Sequence, residues 1–225
     1  MRAYATAYRN VRIKLMRTLI LVTSLIVSLV CQAAEAGLPP SEIEKFLNDL
    51  APHARNYPPH FDSEVQRDQL SNKLKDVLAT LDAQSKNDSS NLDLLFRHAF
   101  ANSMGHNLDF SGCAEKAISS YETLLEAKPQ DGKVNFYFGA FLAGTTLLPK
   151  SVPYLRNAAD LGVTDAHYTL AFVYLKQGDL QSALPEFKAY LKFEPDNETA
   201  KKMVSDIEGG RLRIKIRNSS QPGNR

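Results

Sequence analysis

Four residues between positions 98 and 113 are of types that do chemistry: His98, His106, Asp109 and Cys113. The histidines are eight positions apart, so a helix brings both near one face. With Asp109 they form a set of donors that transition metals accept. Cys113 opens what reads as a helix, where the dipole lowers a thiol pKa, and His106 is close enough in sequence to be its base. A hydrolase or metal protein using Cys113, or His98, His106 and Asp109, is therefore one reading. The spacing argues against it, because no H-E-x-x-H, C-x-x-C or comparable pattern is present. The plainer expectation makes Cys113 a partly buried small residue. Asn107 and Asp109 then hold a turn and cap the next helix. No catalytic residue, cofactor or metal follows from this set.

The elements that carry these residues repeat. The clearest unit is Thr164 to Asn197, TDAHYTLAFVYLKQGDLQSALPEFKAYLKFEPDN. A small residue recurs at Ala117, Ser151 and Ala183, spaced by 34 and 32. Four residues later come Tyr121, Leu155 and Phe187, and three further on Leu124, Ala158 and Tyr190. A second small column, Ala99, Gly139 and Ala171, has gaps of 40 and 32, which assigns about six extra residues to the inter-helix turn 106–112 of the first copy. Small residues let paired helices approach, and the large residue four positions on fills the space beside them. Gly178 is expected to make the turn within the last pair. Pro153 and Pro185, 32 apart, are expected in the first turns of their helices, where a missing N–H costs little.

With its Leu170-Ala171, Tyr174, Gly178, Ala183, Phe187 and Pro195, this unit resembles the tetratricopeptide repeat (TPR). The stretch PYLRNAADLG at 153–162, followed by Thr164-Asp165-Ala166, is also similar to the Sel1-type variant. Residues 53–61, the run LLFRHAFANSMGHNLDF and the block VNFYFGAFLAG resemble an exported bacterial TPR family with no assigned chemistry. The resemblance implies an all-α fold, a TPR-type α-α superhelix (solenoid), and an envelope location; no functional residue is carried over from it. About three helix pairs are expected over 91–208, after an N-terminal helical segment at 37–90. In that segment Ser41 and Glu44 cap a short helix from Glu42 to Leu50. Ser63 and Gln66 open a long one with the apolar stripe Val65, Leu70, Leu74, Val77, Leu78 and Leu81. Pro52 to Asp62 reads as a loop wrapping the surface. Glu198 to Ile207 reads as a helix capping the stack.

TPR stacks hold extended peptides on the face made by the first helix of each pair. By this resemblance one column of that face is Phe96, Phe136 and Tyr168, and the next Phe100, Ala140 and Phe172. A ridge of Met104, Gly144, Leu175 and Lys176 lies beyond. Either these rings line an open groove for an apolar or aromatic-bearing peptide, or the N-terminal helices and the 52–62 wrap cover them as core. The paired Lys/Asn pattern of chaperone-binding TPRs that grip a C-terminal carboxylate is absent.

The ends carry addresses. Thr18 to Val30 is thirteen uncharged residues after Arg2, Arg9, Arg12, Lys14 and Arg17, and Ala33, Ala34 and Ala36 follow. That is the order of a secretory signal, expected over 1–36, and the run is short for a membrane span. Met16 is an alternative start, and Cys31 leaves with a cleaved signal; lipidation or a retained signal-anchor are minor readings. The formal charge of +2 conceals a segregation: +5 in 1–33, +5 in 211–225, and 17 basic against 25 acidic residues between them, a net −8. An acidic body excludes a nucleic-acid-binding core. The basic tail, 209–225, begins RLRIKIR after two glycines, an alternation that suggests a strand and contact with a membrane surface or an acidic partner. The reading is a non-enzymatic, exported TPR scaffold for protein–protein interaction in the bacterial envelope, most simply the periplasm. Its alternative is a membrane-tethered accessory subunit of an envelope complex.

Overall fold

The structure is a computed structural model that describes residues 37–212. The signal-type segment 1–36 and the tail from 213 on lie outside the described residues. The chain divides into two compact units, residues 1–43 and 44–225. In the described part of the first, the Pro39 carbonyl accepts from the N–H groups of Glu42 and Ile43, at 3.0 and 3.1 Å, and so starts a helix. That helix, α1 (Pro40–Ala54), begins one residue before Ser41, so Ser41 is not its cap. Proline at the first helical position explains the earlier start, since its missing N–H has no helical partner there in any case.

The other helices among the described residues are α2 (Glu64–Asn87), α3 (Leu92–Asn107), α4 (Cys113–Ala127), α5 (Gly132–Ala143), α6 (Ser151–Asp160), α7 (Thr164–Gln177), α8 (Leu180–Tyr190) and α9 (Glu198–Glu208). Helices α3 and α4, α5 and α6, and α7 and α8 pack as three antiparallel pairs, the array expected from the TPR resemblance. Side-chain oxygens start three of these helices at the repeat boundaries. Asn91, Asp131 and Asn197 each accept from the N–H three residues on, at 3.0, 3.0 and 2.9 Å.

The columns read from the sequence form the core. Ala117, Ser151 and Ala183, then Tyr121, Leu155 and Phe187, are all fully buried. A Cβ at Gly139 would stand 2.7 Å from the Leu155 Cγ and 3.1 Å from its backbone nitrogen, so α5 and α6 touch only because that position lacks a side chain. Gly178, at φ 80, turns the chain from α7 into α8.

Several expectations are corrected. The extra length of the first repeat goes partly into α3, which has 16 residues against 12 in α5, and not only into the turn. Pro185 is the sixth residue of α8, beyond the first turn, because Asp179 caps that helix earlier than the alignment with Pro153 suggests. Ser63 does cap α2, yet the Gln66 side chain accepts from the Asp62 N–H at 2.8 Å, so the box closes one residue earlier. Val65 is 66% exposed, and the buried stripe is Leu74, Val77, Leu78 and Leu81, all in the second half of α2. Pro52 to Ala54 belong to α1, and the loop starts at Arg55. Of the RLRIKIR run only Arg211 and Leu212 are described, and they make no strand. The Arg211 guanidinium donates to the Asp206 carboxylate at 3.0 Å and the Ser205 carbonyl at 2.9 Å. Among the described residues no helix is long and apolar enough to cross a membrane.

Candidate functional site

Helices α3, α5 and α7 lie side by side, and their shared face carries a groove of about 500 Å³. Five of the six column residues line it, all but Phe96, together with Lys176 of the ridge: Phe100 from α3, Phe136 and Ala140 from α5, and Tyr168, Phe172 and Lys176 from α7. On each helix the two column positions are four residues apart, about one turn, so both project from the same face. Phe172 stands edge-on to Tyr168 at 4.9 Å and to the buried Phe187 at 5.2 Å, which fixes the groove wall to the core. The rings are neither wholly core nor wholly free: Phe100 is buried, while Phe136, Tyr168 and Phe172 are half-buried. Met104, assigned to the ridge, is fully buried core instead.

Phe96 falls outside the groove. Its ring stacks on Phe100 at 6.2 Å, receives Tyr137 edge-on at 5.4 Å, and has the Lys133 ammonium 4.2 Å above it. Tyr137 takes the place expected of Phe96 and lines the groove. One residue along a helix is a rotation of about 100°, so Tyr137 faces the seam between α3 and α5 that the column alignment passes over.

The loop after α1 borders one end, through Arg55, Asn56 and Tyr57. Asn107, at the end of α3, donates from its Nδ2 to the carbonyls of Ala54 and Arg55 at 2.9 and 3.0 Å. The His53 ring stacks on Phe61 at 5.5 Å, and the His60 N–H donates to the His53 carbonyl at 2.8 Å. Asn107 therefore pins a loop 52 residues away instead of holding its own turn, as the sequence reading had it. Asp109 caps nothing; it sits at φ 63, and Gly112, at φ 77, precedes α4. Lys176 donates to the Ala143 carbonyl at 3.4 Å, and Asp165 lies near the other end of the groove, at the start of α7. Burial first, and then the Asp165 carboxylate, push the nearby Tyr190 hydroxyl above its ordinary pKa.

The four chemistry-bearing residues do not form one site: His98 and Cys113 are buried, while His106 and Asp109 line a surface depression. His106 is half-buried and stands edge-on to Phe141 at 5.7 Å. His98 is buried, with Nδ1 2.8 Å from the Ser120 Oγ and Nε2 2.8 Å from the Asp82 carboxylate. The Lys116 ammonium binds the other Asp82 oxygen at 2.5 Å. Burial works to raise the Asp82 carboxyl, and the bonds from Lys116 and His98 overcome it and hold it below its ordinary value. Serine, histidine and aspartate are linked in the order of a hydrolase triad, but with the ring nitrogens exchanged, Nδ1 toward the serine and Nε2 toward the aspartate. Here Ser120 is buried in the middle of α4 and does not line the aromatic groove. The relay ties α2, α3 and α4 together; it spans 38 positions and no repeat spacing announces it. Cys113 is buried too, and burial pushes its thiol pKa up, the opposite of the lowering expected from the helix terminus. A Cβ at Gly105 would stand 2.8 Å from its sulfur, so Cys113 is a packing residue between α3 and α4.

Residues 164–197 match the family model described as tetratricopeptide repeat. No curated protein matches the chain. Two crystal structures of MamA superpose at TM-scores of 0.55 and 0.54, with 15% and 14% identity; they cover 68% and 75% of this chain and 86% and 84% of theirs. YrrB, described as a TPR protein with an unusual peptide-binding site, superposes at 0.50 with 20% identity, over 78% of this chain and 87% of its own. At these identities the likeness shows the fold: an all-helical TPR solenoid that carries a recognisable repeat at 164–197.

Proposed function

We propose that this chain is a non-enzymatic TPR scaffold that holds an extended peptide segment of a protein partner, and that it acts in the bacterial envelope after export. The observation that carries the binding role is the aromatic groove across α3, α5 and α7, with Phe100, Phe136, Tyr168 and Phe172 on its walls. Rigid rings give a large contact area at low entropic cost, and an extended chain lies along such a face with side chains in alternate pockets. The peptide-binding description of YrrB supports the same use of the fold. The order of basic, apolar and small residues in 1–36 supports export. A second reading, tethering to a membrane complex, is favoured by the basic run that starts at Arg211.

Photo-crosslinking residues placed at Phe136 and Tyr168 in intact cells test the binding role. Discrete adducts are expected, and they are lost when Phe172→Asp is added. Equal adducts from a probe at Glu122, on exposed α4 surface, or adducts indifferent to Phe172→Asp, would remove the groove as the binding face. Release of the protein by osmotic shock tests the location, and retention with the membranes selects the tethered reading.

A further inference from the structure

The aromatic groove has a neighbour. A second depression of about 440 Å³ is lined by His106, Asp109, Glu115 and Leu147, and it shares Tyr57 and Gly144 with the first. Tyr57 is 62% exposed, so its side chain stands at the shared rim and packs into neither groove. Gly144 ends α5 at φ −83 and ψ −11, a conformation open to every L-residue. A Cβ there would meet only the Phe141 carbonyl oxygen, at an ordinary 3.4 Å. Gly105 and Gly139 differ, since a Cβ at either runs into a neighbouring helix. Neither backbone nor packing requires glycine at 144. Its bareness leaves the saddle between the two grooves clear.

We propose that one extended segment of a partner protein occupies both grooves, crossing at Gly144 with Tyr57 as its side wall. It places an aromatic or large apolar side chain in the first groove and a basic side chain in the second. This rests on the peptide-binding reading above and adds the chemistry of the ligand. The basic residue follows from Asp109 and Glu115, both exposed and without an ion pair among the described residues. In the first groove Lys176 is engaged with the Ala143 carbonyl, which leaves the rings to set the preference there.

The test uses the chain from Gly37 to Arg225 and fluorescent peptides of about ten serine and alanine residues bearing one phenylalanine. Lysine, serine or glutamate stands roughly three to six residues from it, about 10–20 Å of extended chain. At one spacing the lysine peptide is expected to bind at least about fivefold tighter than the glutamate peptide, an advantage that salt erodes. Gly144→Gln and Gly144→Trp should keep the circular dichroism and urea midpoint of the parent. They should weaken the lysine peptide about tenfold or more, and a short phenylalanine-only peptide clearly less. Asp109→Lys with Glu115→Lys should invert the charge preference. If Phe172→Asp abolishes binding while the Gly144 variants bind as the parent does, or charge makes no difference, the crossing is wrong and the groove reading stands. If no peptide binds the parent more tightly than the Phe172→Asp variant, both readings fall. If peptides bind only after residues 213–225 are deleted, the occupant is the chain's own basic tail and the proposal fails.

Discussion

At the scale of single residues, α5 and α6 meet as a notch and a plug. Leu155 is fully buried and sits in the space that Gly139 leaves. Gly139→Ala forces a carbon to within 2.7 Å of the Leu155 Cγ and should cost about 1–3 kcal/mol of stability. Leu155→Ala empties the notch and should cost about 2–5 kcal/mol. The two changes together should cost clearly less than their sum, because alanine at 155 vacates the room the new methyl needs. Urea unfolding of the four chains measures this, and strict additivity would show that the contact does not set the helix spacing. The His98 relay is the opposite kind of unit. Its members come from three helices, and its strength lies in satisfied hydrogen bonds instead of shape.

At the scale of elements, side-chain caps mark the starts of α2, α3, α5, α8 and α9. Helix α9 covers the open end of the last pair with the half-buried face of Met203, Val204 and Ile207, and Asn197 supplies its first acceptor. Asn197→Ala should cost about 1 kcal/mol, confined to α9. Its amides should then exchange about fivefold faster while those of α3 and α4 keep their rates. A uniform rise along the chain would mean that α9 does not open on its own. The elements also show what could be read in advance. Columns such as Tyr121, Leu155 and Phe187 were legible because the repeat spacing carries them and each contact joins helices adjacent in sequence. The start of α1 was misplaced because the Ser41 and Glu44 spacing suggested a capping box, whereas the proline at position 40 is the residue that marks the first helical position. The depth of Pro185 was missed because the cap at Asp179, and not the repeat spacing, fixes the register of α8. For the groove, periodicity named the residues on the right helix faces. It could not name the loop 55–57 that borders one end, because Asn107 reaches that loop through a contact with no period.

At the scale of the whole molecule, a stack in which each helix mainly meets its neighbours has a stability that varies along the chain. The charge follows the same division, with a net −8 between residues 34 and 210 and a basic run beyond. Cys113 makes the local stability measurable without any added group. In a chain that begins at Gly37 it is the one thiol, and it is sealed between α3 and α4. A thiol reagent reaches it only when those helices part, so the labelling rate is a clock for that opening. Each 1.4 kcal/mol of opening free energy slows the clock about tenfold. Phe100 and Ser103 line the aromatic groove from α3, the helix that also shields the sulfur. An occupant that steadies α3 should therefore slow the labelling of Cys113, and an unchanged rate at saturating peptide would uncouple the groove from that helix pair.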